Sequence, residues 1–363
     1  MSPPTQHVDP HGHSGIRRGG WLTAAAVALA VGLTACSSGQ TSGPADSAQA
    51  SGPATSPGAT AAAPSTPVTG TPGTSSPLPT NRTKTARPAS PVHVSLFQGD
   101  GQTYGVGFAL IAQFDKAPTN SHAFTDAVTV TINGKPAGGA WFWQRSEIPG
   151  YAVEALYRPR TFWPAHAKIA ANFPIKGLSA GRGLAYDDNL TLSIRTGARH
   201  VSTVDNRTHR MVVTSDGKVV RRMPVSLGSG DHPTYRGTKV VMARGEDVPG
   251  TDRPRAQGAV LMVSRDPADP YSLLVPWSVR ITNSGEYVHS ASWNTGNIGS
   301  RNTSHGCTNL DVRAAEWFWK FSRVGDIVRY PNASGPTQPS WDGWGWWNLP
   351  WSTWSKGGLL RTH

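Results

Sequence analysis

The chain has 363 residues, and its 37% hydrophobic content is enough to bury the cores of two ordinary domains. Only two cysteines occur, Cys36 and Cys307, in settings so different that a structural disulfide between them is the less economical reading. The formal net charge of +12 points to anionic partners, with an arginine-rich solubilising surface as the plain alternative.

The N-terminus carries Arg17 and Arg18, then an apolar run over 21–35 that is too short and too alanine-rich for a comfortable membrane span. It reads as a secretory signal, and the paired arginines also fit a twin-arginine export signal. The run ends in Leu33-Thr34-Ala35-Cys36, which resembles the lipobox of bacterial lipoproteins, where the cysteine thiol is alkylated with diacylglycerol and becomes the first mature residue. Residues 1–36 are therefore expected to be a lipoprotein signal peptide with Cys36 as the lipidation site. That would hold the protein by its lipid at the extracytoplasmic face of the cell membrane, in the cell envelope. An ordinary signal peptide with a chance cysteine is the alternative. Export argues against nucleic acid as the partner of the basic surface and favours wall polymers and lipid headgroups.

Residues 37–90 are mostly Ser, Thr, Ala, Pro and Gly, with no aromatics and with Val68 and Leu78 as the only large aliphatics. Such a stretch cannot offset the entropy of ordering and is expected to be a disordered tether, with a reach of about 40 Å as a flexible coil. From 91 to 198, short segments rich in β-branched and aromatic residues recur at 92–97, 104–114, 127–132, 152–157, 167–171 and 190–194. With Asn133-Gly134 as a tight turn, they predict an immunoglobulin-like β-sandwich. Nothing there combines a nucleophile with a base, so its expected role is as a spacer or positioning module.

A second β-rich domain is expected over 199–331, with strands at 202–205, 209–214, 218–224, 238–243, 259–263 and 278–282, and a hairpin turn at Asp216-Gly217. Helical pattern comes only late. Asp311 is a plausible N-cap for a helix through 322, whose apolar face would use Val312, Ala315, Phe318 and Trp319. The positive end of that helix would lie close to Cys307 and favour its thiolate. In the extension over 332–363, Trp341, Trp344, Trp346, Trp347, Trp351 and Trp354 fall within one short stretch. So dense a cluster is expected to pack at a domain interface rather than to stack on sugars. The fold class is thus mainly β: a sandwich, a β-rich domain with one short helix, and a Trp-rich tail.

The chemistry concentrates in Tyr287-Val288-His289-Ser290-Ala291-Ser292-Trp293 and Asn302-Thr303-Ser304-His305-Gly306-Cys307-Thr308-Asn309-Leu310. An unpaired cysteine in an exported protein is a candidate nucleophile, and an imidazole can lower its pKa and then keep the proton for a leaving amine. On residue type either His289 or His305 can serve. Gly306 permits a tight or left-handed turn beside the thiol, where successive N–H groups can form an oxyanion hole. Two other readings stand beside this one: a buried thiol among core histidines, and part of a metal site, which has only three candidate ligands and no Cys-x-x-Cys spacing.

His289-Ser290 followed by Ser304-His305-Gly306-Cys307-Thr308-Asn309 resembles the signature of the L,D-transpeptidase catalytic domain, and Ile281-Thr282-Asn283-Ser284-Gly285 before it and Trp317-Phe318 after it resemble actinobacterial members. The likeness extends over about 91–331 as an immunoglobulin-like domain followed by a catalytic β-domain. It implies that Cys307 is the acylated nucleophile, that His289 is its proton partner and that Ser290 orients the His289 ring. His305 would contribute backbone and packing, and Asn309 would hold the loop or touch the donor stem. The hydroxyl of Tyr271, with the N–H groups of Gly306 and Cys307, would receive the oxyanion. The implied reaction cross-links peptidoglycan. The thiolate displaces D-alanine from a tetrapeptide stem at its third-residue diaminopimelate, and the thioester passes to the side-chain amine of a second stem. Donor and acceptor stems are the implied partners, carbapenems the implied covalent inhibitors, and the expected state is a monomer without metal or organic cofactor. A carboxypeptidase that passes the same thioester to water, and a wall-binding lipoprotein, are the alternatives.

Overall fold

The computed structural model describes residues 89–245, 257–264 and 270–360; the expected signal peptide, Cys36 and almost all of the expected tether lie outside the described residues.

The first domain is a sandwich of two sheets, with a small third sheet of Ser90–Val92, Leu184–Tyr186 and Ser179–Gly181 beside them. One of the two has the order Val94–Leu96, Leu110–Phe114, Val153–Pro159, Gly139–Arg145, and the other Thr103–Tyr104, Leu190–Thr196, Lys168–Phe173, Thr129–Ile132, Lys135–Pro136. Leu190–Thr196 shows why the second sheet forms, since Leu192, Ile194 and Thr196 point inward at every other position while the residues between them face water. Leu110–Phe114 is different, being buried along its whole length. Leu110, Ala112 and Phe114 enter the sandwich core, whereas Ile111 packs on the other side against Trp344, Trp346 and Trp354 of the C-terminal extension.

The segment expected as one strand over 104–114 is therefore two. Between them, Gly105 and Gly107 donate their N–H groups to the carbonyls of Val324 (2.8 Å) and Gly325 (2.7 Å) in the second domain. A Cβ at Gly105 would lie 2.2 Å from the Asp326 nitrogen, so only glycine allows this approach of the two backbones. The 92–97 segment likewise divides at His93 into strands of two different sheets. Gly139–Arg145 and the short helix His122–Ala127 were not legible as elements.

In the second domain a five-stranded sheet runs Lys218–Pro224, Arg210–Ser215, His200–Asp205, Ile327–Tyr330, Gly237–Val240. A four-stranded sheet runs Ala243–Arg244, Val279–Arg280, Tyr287–Ser290, Thr308–Leu310, and a separate hairpin pairs Val260–Ser264 with Tyr271–Val275. The expected strand over 238–243 divides because the chain passes there from the first sheet to the second. The helix Val312–Phe321 begins where the sequence places it, and the Asp311 carboxylate accepts from the Ala314 N–H at 2.9 Å. Its buried stripe is Ala314, Ala315 and Phe318, while Val312 is 43% exposed. At about 100° per residue Val312 sits roughly a third of a turn from that stripe, which corrects the expected face. Trp319 lies at its margin, half-buried, with its ring 5.4 Å from that of Trp277.

The tryptophan cluster packs, with Trp341 as the exposed exception at 60%. Trp347 and Trp354 enclose the guanidinium of Arg158, which lies 4.3 and 4.4 Å from their ring centroids. Their indole N–H groups donate to the carbonyls of Gly107 (2.6 Å) and Ala140 (3.0 Å). The same extension also grips the second domain, where Asn348 Oδ1 accepts from the Thr238 N–H at 2.8 Å and both Asp342 carboxylate oxygens accept from Ser284. The extension thus ties the sandwich to the domain that carries the cysteine.

Candidate active site

Tyr287–Ser290 pairs antiparallel with Val279–Arg280 and parallel with Thr308–Leu310, in a register that sets His289 opposite Asn309. A parallel pair needs a crossover, and residues 291–307 supply it. Cys307 immediately precedes the second strand of that pair, so two residues far apart in sequence are brought to neighbouring strand positions. Both line a cavity of about 300 Å³, together with Tyr271, His305 and Asn309. Met262, Leu273 and Trp293 add apolar surface to it.

His289 is buried, and its Nδ1 lies 2.8 Å from the main-chain carbonyl of Ser290. A carbonyl only accepts, so Nδ1 carries the hydrogen and the Nε2 lone pair is left available. Ser290 therefore orients the ring through its carbonyl and not its hydroxyl. Burial pushes the His289 pKa down to about 4, against a smaller upward pull from this hydrogen bond.

The Cys307 thiol is buried as well. Its sulfur accepts from the Tyr287 N–H at 3.4 Å and donates toward the Gly285 carbonyl at 3.6 Å. Burial pushes its pKa up to about 12; the Tyr287 N–H opposes this, the Glu286 carboxylate adds to it, and Lys239 opposes it. At rest the site holds a neutral thiol and a neutral imidazole. The expected help from the helix is corrected here: residues 308–310 form a strand between Cys307 and the N-cap Asp311. At about 3.3 Å per residue that distance exceeds the first helical turn, beyond which the dipole fades.

Gly306 has φ of +110°, in the region that favours glycine. Its N–H donates to Ser304 Oγ at 3.2 Å, and the same hydroxyl donates to the Cys307 carbonyl at 2.6 Å. The Gly306 N–H is thus engaged within the loop, which departs from its implied place in the oxyanion hole. Thr234 Oγ1 fixes the next peptide by donating to the Gly306 carbonyl at 2.8 Å. The His305 ring packs at a tilt between His232 (4.7 Å) and Tyr271 (5.3 Å), on the loop before Cys307, whereas His289 stands on the strand. Tyr271 lies on the hairpin and lines this cavity and a second one of about 490 Å³, as do Met262, His305 and Cys307. The two cavities therefore share the thiol. Asn309 holds Ser226 through two main-chain hydrogen bonds, and its Oδ1 is buried without a partner among the described residues.

Sequence reasoning missed Ser304 as a hydrogen-bonding centre, Thr234, and a buried ion pair between Lys239 and Glu286. A lone lysine immediately before the apolar run Val240-Val241-Met242 and a glutamate three residues before His289 were the available signals. Among the described residues no group of three or more His, Cys, Asp or Glu side chains is placed to hold a metal ion.

Residues 199–329 match the family described as the L,D-transpeptidase catalytic domain, and residues 67–179 match the bacterial Ig domain. The chain is 32% identical over 279 residues to L,D-transpeptidase 2 of Mycobacterium tuberculosis, an alignment covering 76% of this chain and 65% of that protein. The structure resembles an L,D-transpeptidase from Mycobacterium smegmatis at 30% identity and a TM-score of 0.52, covering 67% of this chain and 100% of the other. It also resembles an L,D-transpeptidase solved in complex with imipenem, at 26% identity and a TM-score of 0.52, over 65% of this chain and 97% of the other.

Proposed function

This chain belongs to the L,D-transpeptidase family, and from that premise we propose that it cross-links peptidoglycan stem peptides through a thioester on Cys307. The observation that carries the reading is the shared cavity, whose lining includes both a protonated thiol and an imidazole with its Nε2 lone pair available.

The first acyl transfer begins when the thiol gives its proton to His289 Nε2 and the sulfur attacks the carbonyl of the third residue of a tetrapeptide stem. The S–C bond forms as the C–N bond to D-alanine breaks, and His289 returns the proton to the leaving amine. The side-chain amine of a second diaminopimelate then attacks the thioester. Its C–N bond forms, the S–C bond breaks, and the amine's proton returns to sulfur by way of His289. Two cavities that share Cys307 in their lining suit two stems that meet at one sulfur. In this scheme the Cys307 N–H and the Tyr271 hydroxyl receive the oxyanion, while Ser304 and Gly306 fix the loop that presents them. Asn309, whose Oδ1 is buried at the cavity wall without a partner among the described residues, takes a donor from the stem.

Imipenem bound to a solved relative supports carbapenems as covalent inhibitors, acylating the same sulfur by opening of the lactam ring. We further propose that the mature protein is held at the outer face of the cell membrane through a lipid on Cys36 and acts as a monomer. The lipobox-like sequence supports the anchor. Cys36→Ala should release the protein from membranes or block its processing.

The test is incubation of the purified protein with a disaccharide-tetrapeptide, followed by mass spectrometry. A cross-linked dimer with loss of D-alanine, absent with Cys307→Ala, is the expected result. Hydrolysed stem alone would make it a carboxypeptidase, and no reaction by a wild type that is folded would overturn the proposal.

A further inference from the structure

Lys239 is wholly buried, and its partner Glu286 is 6% exposed. Removing two charges from water is costly, and an apolar pair of similar volume usually serves stability as well or better. A pair kept in such a place calls for another use, and its surroundings supply one.

Glu286 lies between the two segments that hold the nucleophile. Its Oε1 accepts from the Tyr235 N–H at 2.7 Å and its Oε2 contacts the Lys239 ammonium. Its own N–H donates to Thr282 Oγ1 at 2.8 Å. The flanking groups, the Gly285 carbonyl and the Tyr287 N–H, are the two partners of the Cys307 sulfur. The side chain also fills the space beside Gly306, where a Cβ would lie 3.6 Å from both its Cγ and Oε1. Lys239 is fixed in turn by its strand, which pairs with Ile327–Tyr330, and by the Tyr330 ring 4.1 Å from Nζ. Tyr330 then hydrogen-bonds Thr308, the residue after Cys307, at 2.7 Å. The pair thus reaches the cysteine from both sides, through Gly285 and Tyr287 and through Thr308.

We propose that the Lys239–Glu286 pair is a positioning device for the transferase reaction, holding the Cys307 sulfur and the Gly306–Cys307 peptide in the geometry that acylation requires. The inference rests on the acyl-transfer reading above. The remaining charged and titratable groups around the pair are Asp342, Tyr235, Tyr287 and Cys307. None of them can replace Glu286 as the acceptor for both Lys239 and the Tyr235 N–H without moving the loop.

The experiment compares wild type with Lys239→Met/Glu286→Leu, which removes both charges together and leaves the Tyr235 N–H as the one group without its former acceptor. Melting temperature and imipenem adduct formation are measured, the latter by mass spectrometry as a function of pH and drug concentration. The expected result is a folded variant with a melting temperature close to or above that of wild type. Its limiting acylation rate should fall roughly 10- to 100-fold, the scale of a misplacement near 1 Å, with little change in the drug concentration for half-maximal rate. Its pH profile should also change shape, because Cys307 loses both neighbouring charges. A folded variant that acylates with the wild-type rate and profile would overturn the inference. Should the double variant fail to fold, Glu286→Gln, which keeps the size of the side chain and one acceptor oxygen but removes the negative charge, decides in its place. Slowed acylation with an altered pH profile supports positioning by the charged pair, and an unchanged rate and profile refutes it. Wild-type protein that forms no adduct while folded would instead remove the acyl-transfer reading itself.

Discussion

Two buried cations show how differently the molecule treats its interface and its active site. Arg158 is 2% exposed and has no carboxylate partner among the described residues; tryptophan faces and the carbonyls of Trp346 and Leu349 surround it, the latter at 3.2 Å from Nη2. Burial draws its pKa down to about 10, so it stays charged at neutral pH. Lys239 is equally buried but is held by a carboxylate that also braces the cysteine loop. The first arrangement joins surfaces, and many weak contacts share the work. The second fixes a few atoms near a sulfur, and a single altered contact should be felt in the chemistry. Changes at the interface should therefore show up in stability, and changes around Cys307 in rate.

The sharpest separation is expected from Cys307→Ala. Adduct formation with imipenem and cross-linking should both vanish, while the melting temperature stays within a few degrees of wild type, as the buried thiol makes only weak hydrogen bonds. Retained cross-linking would place the nucleophile elsewhere. Next is His289→Ala, for which acylation should fall by roughly 10² to 10⁴, the usual contribution of a general base. His305→Ala should cost much less in rate, since its ring packs between His232 and Tyr271 and the strand presents His289 to the cavity. Single-turnover adduct formation by both variants checks the division, and a dead but well-folded His305→Ala beside an active His289→Ala would exchange the two roles.

On the interface side, Trp354→Ala should destabilise by about 3 to 5 kcal/mol, because a fully buried ring that stacks on Phe142 at 4.8 Å and helps cage Arg158 is lost. Denaturant unfolding measures this, and the folded fraction should acylate at the wild-type rate. A large fall in that rate would show that the interface acts on the site as well as on stability.

The same contrast explains what was legible in the sequence. Cys307, His289 and Gly306 were readable because reactive chemistry leaves unusual residue types side by side along the chain. Strands such as 218–224 were readable because β-branched residues cluster between turn signals. Leu110–Phe114 was misjudged in extent because both of its faces are covered, and two glycines that end the preceding segment look ordinary until the second domain is seen against them. The Ser304 hydroxyl and the Lys239–Glu286 pair escaped for a related reason. Each acts on a residue that is distant in sequence or through the backbone, and residue type alone carries no sign of that.

The smallest effect concerns pH and isolates His289 without any substrate. In the unfolded chain a histidine takes up a proton as pH falls through about 6.5, whereas in the folded protein burial delays this until about 4. Between those values the unfolded state binds more protons, so stability is fully present above pH 6.5 and is lost as pH falls toward 4. The loss should reach roughly 3 kcal/mol at the lower limit, from a shift near 2.5 units at 1.36 kcal/mol each. Other groups also contribute to the pH dependence of stability, among them Asp326, whose pKa burial raises. The informative quantity is therefore the difference between wild type and His289→Gln, whose amide can still donate to the Ser290 carbonyl but does not titrate. Urea unfolding at half-unit steps from pH 4 to 7.5 should give a shallower decline for the variant, and the two curves should run parallel above pH 7. Parallel curves over the whole range would mean that His289 is already protonated in the folded protein at mild pH. The neutral thiol and neutral imidazole from which the proposed mechanism starts would then be the wrong resting state.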